Sequence, residues 1–121
     1  MNIEEVHSYC NSFPDVTEGF PFGETALVFK VQGKMFLLLP LEGDERFVLL
    51  KCDPETAVEL RERYDSVNPG YHMNKKHWNS LYLDGDMPDS EIRYWIRHSY
   101  RKVVEGFPKK ERVRLLEMVR E

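Results

Sequence analysis

Between residues 26 and 52 three apolar runs follow one another with very little chain between them, and this spacing constrains the fold more than any other feature. The runs are Ala26 to Val31, Met35 to Leu39 and Arg46 to Cys52. Gln32-Gly33 supplies the positive-φ residue of a tight turn between the first two. The acidic stretch Glu42-Gly43-Asp44-Glu45 loops from the second to the third. Connections this short join antiparallel neighbours, because a parallel crossover needs a dozen or more residues. The segment is therefore predicted to be an antiparallel meander against which the rest of the chain packs.

The flanking segments read mainly as helices. Ile3, Val6, Cys10 and Phe13 recur at three- and four-residue spacing, which predicts a helix over about Asn2 to Ser12, stopped by Pro14. Val16 to Gly23 is an irregular or strand-like entry to the meander. Asp53-Pro54-Glu55 is a helix start: the aspartate can cap free N–H groups, proline fits the first turn and glutamate complements the dipole. That helix is expected to end near Tyr64, with Ala57, Leu60 and Tyr64 facing inward. Val67 to His72 and Trp78 to Leu83 are predicted as short strands, with Asp84-Gly85 turning the chain after them. Asp89 is expected to cap a long helix over Ser90 to Glu105, in which Ile92, Trp95, Ile96, Ser99, Val103 and Val104 follow the helical period. Gly106 ends it, and Pro108 opens a last helix whose Val113, Leu116 and Val119 can face the core. At 121 residues the chain is expected to form one domain over 1–121. The pattern implies an α+β two-layer sandwich, an antiparallel sheet with its helices on one side.

Charge limits the function classes. The net charge of −4 argues against indiscriminate attraction to nucleic acid or anionic membrane. Its distribution along the chain is uneven. Residues 1–69 hold six Lys/Arg and thirteen Asp/Glu, giving −7; residues 70–121 hold eleven and eight, giving +3. No apolar run is long enough to span a membrane, and the acidic start Met-Asn-Ile-Glu-Glu-Val does not read as a secretory signal. Cys10 and Cys52 lie far apart among apolar positions and read as buried thiols in a reducing compartment. The expected location is the cytoplasm.

Several segments share their order and spacing with a known family. They are Pro21-Phe22-Gly23, Phe29-Lys30-Val31, Gly33-Lys34-Met35-Phe36, Leu50-Lys51-Cys52-Asp53-Pro54, Pro69 through Asn79, and Ser99-Tyr100. Over roughly residues 13 to 112 the chain resembles the MmcQ/YjbR family. The resemblance implies a compact α+β fold similar to secretion chaperones. Within that fold it implies a "double wing" arrangement that has been read as DNA-binding.

The most chemically loaded stretch is His72-Met73-Asn74-Lys75-Lys76-His77-Trp78. On a wing-like hairpin Lys75 and Lys76 suit phosphate contact, His77 or Trp78 suits stacking, and Asn74 suits a base edge. The same residues also have structural readings. Trp78 at a strand start fits a core position better, and His72 and Asn74 can satisfy backbone groups of the loop. Arg93, Arg97 and Arg101 repeat every four residues on the long helix. They form either a basic stripe for a phosphate backbone or a row paired with acids such as Glu91, Glu105 and those of the first half, and pairing fits the charge balance better. Lys34, Lys51, His72 and Trp78 form an alternative set: a pocket for an acidic ligand, or, for Lys51, an ion pair with Glu18 or Glu24. His72 and His77 lack a helix- or strand-fixed third ligand, so no metal is expected. Ser99 sits mid-helix and neither cysteine looks exposed, so no catalytic residue and no cofactor are assigned. DNA and a protein partner are the expected partner classes, with no membrane, and the oligomeric state is left open.

Overall fold

The computed structural model describes residues 1–119. In chain order it contains α1 (Ile3–Asn11), β1 (Val16–Gly19), β2 (Ala26–Val31), β3 (Lys34–Pro40), β4 (Phe47–Lys51), α2 (Pro54–Arg63), β5 (Val67–Pro69), β6 (Trp78–Tyr82), α3 (Asp89–Val104) and α4 (Lys109–Met118). The strands form one sheet in the order β1-β2-β3-β4-β6-β5, and every neighbouring pair is antiparallel. The expected meander is its centre. Gln32 and Gly33 both take positive φ (47° and 82°), which gives the β2–β3 turn the twist that a two-residue hairpin needs.

All four helices cover one face of the sheet. Val6 and Cys10 of α1, Ala57 and Leu60 of α2, Ile92 and Ile96 of α3, and Leu115 of α4 join Phe29, Leu37, Leu39, Val48, Leu50 and Leu81 in one buried cluster. A bulge where Phe29 and Lys30 oppose β3 turns both Phe36 and Leu37 toward the helices. Phe36 there meets Tyr100 edge-on at 5.3 Å, and Phe13 packs on the same ring at 4.9 Å. The Tyr100 hydroxyl donates to Pro14 O at 2.6 Å, so this buried phenol is satisfied and burial raises its pKa. Ser99, fully buried, accepts from Lys51 N at 2.8 Å and donates to Phe36 O. One hydroxyl thereby fastens α3 to two strands. Cys10 and Cys52 are both free and buried, and burial pushes the Cys52 thiol up to about 12.

Several local expectations need correction. The strand expected over Val67 to His72 stops at Pro69, because Gly70 folds against Trp78 and the chain enters a loop. Asp89 does not cap α3: Pro88 occupies the cap position, and the Asp89 carboxylate instead holds the N-terminal ammonium at 2.9 Å. Val113 is exposed, and Leu115 fills the core position on α4. Trp78 is half-buried and outside the core cluster, on the face away from the helices. Among the described residues no helix is long and apolar enough to cross a membrane.

Candidate nucleic-acid interface on the open sheet face

The second face of the sheet carries no helix. Strand alternation and register fix which side chains it presents. A central row, Gly19–Val28–Leu38–Leu49–Ser80–Asn68, runs across all six strands; its middle is apolar, with Val28, Leu49 and Ser80 buried. On one side of this row lie Lys30, opposite Met35, and Lys51, opposite Trp78. On the other side lie Ala26 and Pro40, then Phe47 opposite Tyr82. These two ends differ sharply in charge.

At the first end, Lys30 and Lys51 stand on strands two positions apart, which places their Cα atoms roughly 10 Å from one another. Lys34 follows the β2–β3 turn but stands opposite Val31, so it belongs to the margin of the helix-bearing face, whereas Lys75 and Lys76 lie in the 70–77 loop that leads into Trp78. The loop is held by its own residues. Asn74 Oδ1 accepts from Lys76 N at 2.9 Å, Asn74 O accepts from His77 N and Trp78 N, and Lys75 Nζ donates to Gly70 O at 2.9 Å. Gly70 has no room for a side chain, since a Cβ there would sit 2.8 Å from that of Trp78. From α2, Arg61 clamps the loop by donating to Asn79 Oδ1 at 2.7 Å and to Lys75 O. His72 takes φ +58° and is exposed, its ring 4.0 Å from that of Tyr71. Among the described residues, Lys30, Lys34, Lys51, Lys75 and Lys76 have no carboxylate within 4 Å. Neither ion pair considered for Lys51, with Glu18 or with Glu24, occurs among the described residues; Glu18 meets His7 at 2.8 Å.

At the other end is a cleft of about 380 Å³ lined by Asp44, Glu45, Asp65, Asp84 and Asp86, with Arg46 as its one cation. The Asp86 carboxylate accepts from Asp65 N and Ser66 N, both at 3.0 Å. At this same end Tyr82 lines the cleft and packs against Phe47 at 5.1 Å, and Phe47 meets Tyr71 edge-on at 6.5 Å.

The arginines of α3 lie on the helix layer, away from this surface. Arg93 pairs with Glu5 of α1 at 3.5 Å. Arg97 donates to the Tyr9 hydroxyl at 2.9 Å and lies over the Tyr94 ring. Arg101 donates to Leu116 O and Val119 O at the end of α4. Glu91 and Glu105, considered as partners, instead meet Tyr64 with Arg63 and Lys102. The structure thus places Lys51 opposite Trp78 and next to the loop that carries His72, Lys75 and Lys76, sets Lys34 opposite Val31 on the helix-bearing side, and separates the open-face group from the helix arginines. The sequence reading did not single out Lys30, Phe47, Tyr71 or Tyr82. The alternation Val28–Phe29–Lys30–Val31 carried a usable signal, since it sends Lys30 to the face opposite Phe29.

Comparison with known proteins agrees with this architecture. The YjbR family model matches residues 11–102. The Escherichia coli K12 protein YjbR is 34% identical over 118 residues, 98% of this chain and all of that protein. The protein YbdF of Escherichia coli O157:H7 is 38% identical over 102 residues, 84% of each chain. Among solved structures, Deinococcus radiodurans protein DR2400, a DUF419 domain, aligns with a TM-score of 0.87 at 39% identity, covering 94% of this chain and 87% of that one. A Pseudomonas syringae protein aligns with a TM-score of 0.70 at 29% identity, covering 82% and 96%. The chain belongs to the YjbR family.

Proposed function

We propose that the protein is a non-enzymatic DNA-binding domain that contacts phosphates through the cationic end of its open sheet face. The observation that carries this reading is that Lys30 and Lys51 share the open face, Lys51 opposite Trp78 and next to the loop that carries Lys75 and Lys76, with no carboxylate within 4 Å of any of the four among the described residues. Lysines left unpaired retain their field, and a phosphate backbone that replaces their counterions gains the release entropy. The overall −4 does not prevent this, because the acids of the cleft lie at the opposite end of the same face. They instead limit how far a bound polyanion extends. The α3 arginines, engaged with α1 and α4, have no part in this reading. A small acidic ligand held by Lys34, Lys51, His72 and Trp78 would draw on the same cations. Lys34, Lys75, Lys76 and His72 are all exposed, however, and an open surface suits an extended polyanion better than an enclosed small molecule.

The test is fluorescence anisotropy of a labelled DNA, presented as single strand and as duplex, at 50 and 200 mM salt. With about four phosphates engaged, affinity should fall about a hundredfold between the two salt concentrations. Lys30→Glu with Lys51→Glu should abolish most of the binding while leaving the circular dichroism spectrum unchanged. Failure of both strand states to bind at 50 mM salt, or indifference to the double charge reversal, would sink the reading.

A further inference from the structure

The geometry points to single-stranded DNA, rather than duplex, as the form this face takes. The inference rests on the DNA-binding reading above and specifies its substrate. Its first support is shape. Six strands at about 4.8 Å spacing make a face roughly 24 Å across, whereas the major groove is about 12 Å wide. The lysines of this face therefore stand on a surface too broad to enter a groove, and the long helix that would fit one turns its arginines to α1 and α4.

The second support is the aromatic content of the face, Trp78 beside Lys51 and a ring cluster across the central row from the lysines. Tyr71 is 60% exposed, and its ring is held edge-on by Phe47 and flanked by His72. Phe47 in turn packs beside Tyr82 at the border of the acidic cleft, which fixes the position of the Phe47 ring. Trp78 stands directly opposite Lys51 in the sheet register. In a duplex the bases are stacked on each other and offer no faces to such rings. In a single strand they are free to stack on aromatic side chains while lysines follow the backbone. More than half of Tyr71 is uncovered where it stands, and a base would cover it. The strand would run from the Lys30–Lys51 end toward Tyr71 and stop before Asp44, Glu45 and Asp84, whose charge repels phosphate.

Competition binding discriminates the two forms. The intact protein is titrated with a fluorescein-labelled mixed-sequence 12-mer, and the label is competed with the same unlabelled strand or with its duplex at 50 mM salt. The single strand is expected to compete at least about tenfold better. Tyr71→Ala should weaken the single strand about tenfold and leave duplex binding unchanged, since stacking is lost and charge is not. Tyr71→Phe, which keeps the ring, should bind as the wild type does and so separates stacking from a folding defect. Equal or better competition by duplex, or no effect of Tyr71→Ala on the single strand, overturns the inference while leaving DNA binding in place. Absence of binding by either form overturns the DNA-binding reading as well.

Discussion

The cations of α3 and the cations of the open sheet face have the same sign and opposite employment. Arg93, Arg97 and Arg101 each reach a partner on another helix: a carboxylate, a phenol and a pair of terminal carbonyls. The sheet lysines reach no carboxylate among the described residues, and only Lys75 has a side-chain hydrogen bond, to Gly70 O. Arginine suits the first task, because its planar fork can satisfy several acceptors at once. Lysine suits the second, because a point charge on a flexible stem follows a backbone of varying geometry. A basic residue therefore says little about binding until its partner is known.

This contrast can be broken by substitution, and the largest effect is expected on binding. The Lys30→Glu/Lys51→Glu protein should lose about a hundredfold or more in DNA affinity, with its urea midpoint within experimental error of the wild type. A matching fall in stability would mean that these lysines support the fold, and the contrast would fail. Next in size is Ser99→Ala, which strands the buried Lys51 N–H and Phe36 C=O; it should destabilise by about 1–3 kcal/mol in urea denaturation. Arg101→Ala sharpens the other side of the comparison. Loss of its bonds to the last carbonyls of α4 should remove about 1–2 kcal/mol of stability and leave DNA affinity unchanged. An affinity loss in that variant would return the helix arginines to the interface.

The smallest effect concerns acid stability. Hydrogen bonds from Gln32 and then Arg114 hold the Asp15 carboxyl below its ordinary range; those from Arg114 and then Gln32 do the same for Glu111. A depressed folded-state pKa contributes stability that is fully present above the unfolded values of about 3.9 and 4.3. That stability is lost as pH falls through the lower folded-state values. Arg114→Ala should therefore lower the urea midpoint slightly at pH 7, and the gap from wild type should narrow by pH 3. Both carboxylates are partly open to solvent, so added salt should shrink the gap as well.

Much of the fold was legible because it is written in local signals. The apolar runs and the Gln32-Gly33 turn define the meander, and Asp53-Pro54 begins a helix where capping chemistry says it should. Asp89 misled because a good capping residue can be drawn to a stronger partner, here the N-terminal ammonium. The site was less legible because it is assembled across the sequence. Dividing the chain at residue 69 made the first part look acidic and the second basic. In space, Lys30 and Lys51 of the first part share a face with the loop that carries Lys75 and Lys76 of the second, while Asp84 and Asp86 of the second join Asp44 and Asp65 of the first. Strand register produces that regrouping, and register is set by pairing between distant segments.

The two strands at the margins of the sheet, β1 with four residues and β5 with three, are among its shortest, and β5 ends in Pro69, which has no N–H to offer. A sheet with one bare face risks recruiting further strands at its borders and growing into aggregates. Here each border offers only a few backbone groups as a template. The molecule can thus leave this face without helices, its central Val28, Leu49 and Ser80 still buried and only its margins wet, without inviting edge-to-edge polymerisation.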